Sequence, residues 1–257
     1  MLLVNKNAVI YGAGGSLGST IARAFAQEGA RVFLAGRTQA SLDMVAKEIT
    51  EKGGLAETAI VDALDENAVK QFVDSVVKKY GSIDISYNAI GVEAVQGFPL
   101  YEMAVADFMR TITVGMQSQL ITCSAAARHM LNQGSGVILS LTATPAGIAY
   151  PNTGGFGVLC NAMEGFSRNL ASELGPKGIR VVCMRSAGSP DSEVFKTAIE
   201  KSPEIMKIRL NEMADDTMLK RQPLMQEIAN VAVFLVSEKA SGMTGTSVNI
   251  TCGTTVD

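Results

Sequence analysis

Histidine occurs once in the 257 residues, and the four cysteines include no C-x-x-C pair. One imidazole among scattered thiols does not make a zinc site, so metal chemistry is not expected and no metal ligand is assigned. His129, in "AAARHM", reads as a helix-end residue. Cys123, Cys160, Cys183 and Cys252 read as buried, reduced thiols of a cytoplasmic protein. No cluster of Lys or Arg stands out and the formal net charge is −3, which argues against nucleic acid as a partner. No apolar run reaches the ~18 residues of a membrane span. The opening "MLLVNKNAVI" has neither the long apolar core nor the cleavage site of a signal peptide, so no leader is expected. Internal repeats and low-complexity tracts are also missing.

What is present is a globular balance of 47% hydrophobic and 18% charged residues. Short β-branched runs alternate with helical patterns almost from end to end. "NAVIY" precedes "SLGSTIARAFAQEG", where Leu17, Ile21, Ala24 and Phe25 recur at helical spacing. "RVFLAG" precedes "SLDMVAKEITEKG", and "AETAIVDA" precedes "ENAVKQFVDSVVKKYG". "IDISYNAIG", "GVILSLTA", "GIRVVCMRSAG" and "SVNITCG" read as further strands. Gly29, Gly53, Gly81 and Gly178 stand where helices should close. The alternation predicts an α/β fold, a doubly wound parallel sheet of Rossmann type with helices on both faces. Residues 1–257 are expected to form a single dinucleotide-binding domain. Within it, residues 187–222 contain Pro, charges and Met but no strand, and read as short helices inserted as a mobile lid over a site.

"VIYGAGGSLGS" follows the first strand and opens the first helix. Backbone N–H groups of such a turn approach a pyrophosphate closely, and the helix N-terminus favours its charge. The G-x-G-x-x-G form fails because Gly12 and Gly14 would require a glycine where Leu17 stands; a looser form with Gly12, Gly18 and a small Ser16 fits. A packing turn without a ligand is the alternative. The second strand ends in "FLAGRT", with no acid to bind a ribose 2′-hydroxyl. Arg37, followed by Thr38, suits a 2′-phosphate, which favours NADP(H) over NAD(H); an ordinary solvated Arg is the alternative.

These motifs, in this order, make the chain resemble a short-chain dehydrogenase/reductase over essentially its whole length. "YGAGGSLG" is similar to the family's T-G-x-x-x-G-x-G turn, with Tyr11 and Ser16 as departures. "VDALD" resembles the end of the third strand, which implies Asp62 and Ala63 near an adenine. "YNAIG" resembles N-N-A-G, with Asn88 and Ala89 kept and Ile90 in place of a glycine. "ASELGPKGIRVVCMRSAG" resembles the family's segment ending in P-G, with Ala187 before Gly188. "EIANVAVFLVSEKASGMTGTSVNITCG" resembles its last helix and strand. The resemblance implies a cofactor site that includes Gly12, Gly14, Ser16, Leu17, Gly18, Arg37, Thr38, Asp62, Ala63, Asn88, Ala89 and Gly188. It also implies assembly as a homo-oligomer, a dimer or tetramer, through helices near residues 101–132 and 153–175.

The catalytic positions depart from the family. With "MEGFSRNLASEL" as anchor, the family's tyrosine falls on Phe156, its lysine on Cys160, its serine on Ala143 and its helix asparagine on Gly115. No Tyr-x-x-x-Lys occurs anywhere in the chain. The family tyrosine protonates the substrate oxygen, and the lysine one turn later lowers its pKa. Phe156 has no proton to give, Cys160 no permanent cation, and Ala143 no hydrogen bond. Loss of general acid catalysis is worth about 10²–10⁴-fold, so simple ketone reduction by the usual route is not expected. Tyr150 stands six positions before Phe156, in a loop that lines the family's substrate pocket, and is read either as a relocated proton donor or as a wall residue. Thr142, Thr144, Asn152 and Thr153 add hydrogen-bonding groups to that loop. Cys160 reads as a small buried filler sooner than a nucleophile. Phe, Cys and Ala at these positions predict a drier, less polar site.

The resulting expectation is an NADP(H)-dependent oxidoreductase with a non-standard site, exchanging hydride with a small organic substrate such as a conjugated C=C or an imine. A catalytically inactive NADP(H)-binding sensor or partner subunit, and a non-redox isomerase or lyase, stay open beside it.

Overall fold

The residues of β1 (Asn7–Tyr11) and β4 (Ile85–Asn88) are buried throughout, as expected of central strands covered on both faces. The computed structural model describes residues 1–256. β2 (Arg31–Gly36), β3 (Leu55–Ile60), β5 (Gly136–Ala143), β6 (Ile179–Ser186) and β7 (Ser247–Ile250) complete one sheet in the order β3-β2-β1-β4-β5-β6-β7. Each neighbouring pair is parallel. The chain winds outward from β1 to β3, then returns to the other side of β1 with β4. That reversal opens a crevice between the carboxyl ends of β1 and β4.

Because neighbouring strand residues face opposite ways, Val9 and Phe33 point to one side of the sheet and Ile10 and Leu34 to the other. On the Ile10 side lie α1 (Ser16–Gln27), α2 (Gln39–Glu51) and α8 (Met225–Val236), contributing Ile21, Phe25, Val45 and Leu235. On the Val9 side lie α3 (Glu66–Tyr80), α4 (Val105–Gln133) and α5 (Gly155–Leu174), contributing Val69, Val73, Met130 and Leu174. The doubly wound architecture read from the sequence is the one observed. The four expected helix-closing glycines all have positive φ, from 80° at Gly53 and Gly178 to 93° at Gly29.

Between β6 and α8 the chain forms α6 (Glu193–Lys201) and α7 (Pro203–Asp215) and no strand, as the sequence suggested for this region. Neither helix has a fully buried residue. Among the described residues, no helix is long and apolar enough to cross a membrane.

One arginine ties β6 to the end of the helix that covers it. From β6, Arg180 donates to the carbonyls of Leu235 (2.8 Å), Ser237 (3.0 Å) and Met243 (3.2 Å). These include carbonyls at the C-terminus of α8 that no helical N–H reaches. Arg180→Ala removes all three bonds and should destabilise the fold by about 1.5–3 kcal/mol. Urea denaturation checks this: the midpoint falls while the slope is unchanged.

Candidate active site

The turn from β1 to α1 brings three backbone segments unusually close. Gly12 has φ +71°, and a Cβ there would stand 2.8 Å from the Ala89 carbonyl oxygen. A Cβ on Gly18 would overlap the Gly12 carbonyl oxygen. Glycine at 12 and 18 therefore lets β1, the end of β4 and α1 meet with no side chain between them. Gly14 and Gly15 are exposed at the N-terminus of α1, whose first amides have no helical partner.

A groove of about 360 Å³ opens beside this turn, at the carboxyl ends of β1 to β4. Of the residues expected at a cofactor, it is lined by Gly12, Gly14, Arg37, Thr38, Asp62, Ala63 and Ala89. Arg37 is exposed and makes no ion pair or side-chain hydrogen bond among the described residues. Asp62 turns its carboxylate back onto the Leu64 N–H at 3.0 Å. The other expected residues lie outside the lining. Asn88 is committed to the protein: its amide donates to Thr122 Oγ1 at 3.1 Å and its carbonyl accepts the Ile90 N–H at 3.0 Å. Leu17 packs against the core on the Ile10 side of the sheet, and Gly18 against Gly12. Gly188 seats the ring of Phe195 and the tip of Met213 from α6 and α7. Ser16 turns its hydroxyl toward α6 and accepts the Glu193 N–H at 3.0 Å. Ser41, Gly91, Val114 and Ser118 also line the groove, although the motifs did not single them out. Val114 had a signal, since it precedes the position aligned with the family asparagine.

The four aligned catalytic positions converge where α4, β5 and α5 meet. Thr142 at the end of β5 donates its hydroxyl to the Cys160 carbonyl at 3.1 Å. Cys160 is 2% exposed; burial pushes its thiol above the ordinary range, against the lowering effect of hydrogen bonds from Thr142 and the Ala143 backbone. At Gly115 a Cβ would stand 2.5 Å from the end of the Leu159 side chain, which is 3% exposed, so Leu159 occupies the volume of a side chain at 115. The start of α5 depends on glycine. Gly154 has φ +56° and lies under the Val95 carbonyl, and a Cβ on Gly155 would overlap the Phe108 carbonyl of α4. Gly154 and Gly155 therefore let α5 begin flush against its neighbours. Tyr150 is 41% exposed, and no described residue hydrogen-bonds its hydroxyl.

One turn below Cys160, on the same stripe of α5, Glu164 meets Arg185 of β6. The guanidinium grips the carboxylate with two bonds of 2.8 Å, and the two residues are 5% and 6% exposed. An ion pair is thus buried one helical turn from Cys160. A charged residue in the apolar run "VVCMRS" was the available signal.

A parallel seven-stranded sheet with a glycine turn at its switch point defines a fold of the dinucleotide-binding type, and comparison with known proteins narrows the class. A family model described as enoyl-(acyl carrier protein) reductase matches residues 12–255. The chain is 31% identical over 251 residues to the 7α-hydroxysteroid dehydrogenase of Escherichia coli strain K12, covering 98% of this chain and 94% of that one. It superposes on an NAD⁺-bound xylitol dehydrogenase with a TM-score of 0.91 at 25% identity, covering 98% of this chain and 100% of the other. A protein described as an NAD(P)-dependent gluconate 5-dehydrogenase of Beutenbergia cavernae, with NADP bound at low occupancy, gives 0.86 at 25% identity, covering 98% and 97%. The chain belongs to the short-chain dehydrogenase/reductase family of oxidoreductases.

Removing one partner of the buried pair leaves the other charge desolvated. Glu164→Leu should therefore cost about 3–5 kcal/mol, and Glu164→Leu with Arg185→Met markedly less. Urea unfolding of the two variants makes the comparison.

Proposed function

We propose that the protein is an NADP(H)-dependent oxidoreductase that exchanges hydride with a small organic substrate at a site lacking the family's Ser-Tyr-Lys-Asn set. The groove beside the glycine turn, with unpaired Arg37 on its rim, carries this reading. Gly12 supports it by its backbone conformation, which leaves the turn bare of side chains where a pyrophosphate would approach. Gly14 offers its amide to the phosphates, Arg37 and Thr38 hold a 2′-phosphate, and Asp62 with Ala63 borders the adenine. When bound, the nicotinamide supplies or accepts the hydride. Solved relatives that carry NAD in one case and NADP in another support a nicotinamide cofactor of either kind; the NADP(H) preference rests on Arg37.

At the reacting end, Phe156, Cys160 and Ala143 bind and exclude water but move no proton. That favours an acceptor whose reduction does not wait on an aligned phenol, a conjugated C=C or an imine. Tyr150 is the only tyrosine in the β5–α5 loop and is taken as the candidate proton source. Residues 187–222, carrying α6 and α7, act as the lid of a single domain. Exposed Leu120 and Leu131 on α4 and Val158 on α5 support a homo-oligomer built on those helices. Four free cysteines support a cytoplasmic location.

Fluorescence titration tests the cofactor assignment. Arg37→Ala should weaken NADPH by about tenfold or more, as loss of a charge-assisted bond does, and leave NADH nearly unchanged; equal effects reject the phosphate contact. Turnover across ketone, enone and imine panels tests the chemistry. If Tyr150 protonates the product, Tyr150→Phe should lower kcat by about 10²-fold or more with KM little changed; a full kcat removes Tyr150 from that role.

A further inference from the structure

The hydrogen bond from the Glu193 N–H to Ser16 Oγ joins residues 177 apart in sequence. Ser16 is the first residue of α1, and Glu193 the first of α6. In the family pattern position 16 is a glycine, which has no side chain to offer. Ser192, the N-cap of α6, makes no side-chain capping bond, so the Ser16 hydroxyl, at the start of α1, satisfies one of the helix's unpaired amides. Just before α6, the Asp191 carboxylate accepts the Met225 N–H, at the start of α8, with both oxygens at 3.2 Å. The root of the lid is thus held to α8, and its first helix is held to the glycine turn by Ser16 alone among side chains.

A serine hydroxyl has two acceptor sites and one proton to donate. Here one acceptor site is used, and the proton has no acceptor among the described residues.

We propose that Ser16 is a positioning residue, a latch that holds α6 against the nucleotide-binding turn and donates its remaining hydrogen bond to a dinucleotide phosphate, so that filling the groove tightens the lid. The second half rests on the dinucleotide reading above; the latch itself does not. The coupling acts through one atom: Oγ accepts from the lid and donates to the phosphate, and each bond polarises the hydroxyl in favour of the other.

The latch can be cut from either side. Ser16→Ala removes the acceptor. Glu193→Pro removes the donor without touching the turn, at a first helical position where proline is well tolerated. Ser192 has φ −78° and ψ 154°, the extended conformation that a following proline requires.

Amide hydrogen exchange, read on the peptides covering residues 189–201, gives the measure, with the peptides of α3 as the folding control. Without nucleotide, each variant should exchange these peptides about fivefold faster than the wild type, the equivalent of one neutral hydrogen bond. The double variant should be no faster than either single one, because both remove the same bond. Ser16→Thr, which keeps a hydroxyl, should restore the slow rate. With saturating NADPH, exchange of the lid peptides should slow in the wild type and much less in Ser16→Ala.

Lid exchange in both Ser16→Ala and Glu193→Pro equal to wild type, with α3 unchanged, would overturn the latch. Equal protection by NADPH in wild type and Ser16→Ala would overturn the coupling. If the wild type binds neither NADPH nor NADH by fluorescence, the dinucleotide reading and the coupling built on it fail together. The nucleotide-free comparison still decides the latch separately.

Discussion

The molecule depends on how near the backbone at Gly12 comes to its neighbours. The carbonyl of Ala89 lies on one side and the first turn of α1 on the other, and no Cβ fits between them. A larger residue there would push β4 away from β1 or lift α1 from the sheet. The same contact leaves amide edges bare at the helix start, so the constraint that docks α1 also shapes the groove. Fold and candidate cofactor site are two results of one close approach.

Around α5 the dominant constraint is burial. Phe156, Cys160 and Ala143 are poor acid–base groups, yet the wall they belong to stands over a fully paired Glu164–Arg185 unit. That pair brings no net charge to the site, and its two parallel bonds fix α5 relative to β6 in a way that apolar contacts would not. Helix α5 is therefore held at its start by glycine contacts to α4 and near its middle by an ion pair to the sheet. Phe156 and Cys160 thus sit on a firmly held helix.

The elements most legible in the sequence are those set by local pattern. β-branched runs such as "NAVIY" gave the strands, 3.6-residue spacing gave α1 and α3, and glycines marked where helices end. The groove was legible in part, because Gly12, Gly14 and Arg37 follow from position at strand ends. Asn88 shows a different gap: its side-chain bonds to Thr122 and Ile90 had no signal in its motif. Gly154 and Gly155 are required by the carbonyls of Val95 and Phe108, which come from other parts of the chain. Glu164 and Arg185 meet because sheet register and helix docking bring them together. The Ser16 contact with α6 depends on the whole winding of the chain. Pairings of that kind have no local signature.

The seating of Leu159 against Gly115 couples two helices. A side chain at 115 and the leucine at 159 claim the same space, so any residue larger than glycine at 115 has to turn the end of Leu159 aside. The two positions are therefore readable only together: what α4 carries at 115 sets how much room α5 has at 159, and a change at either is answered by the volume left at the other.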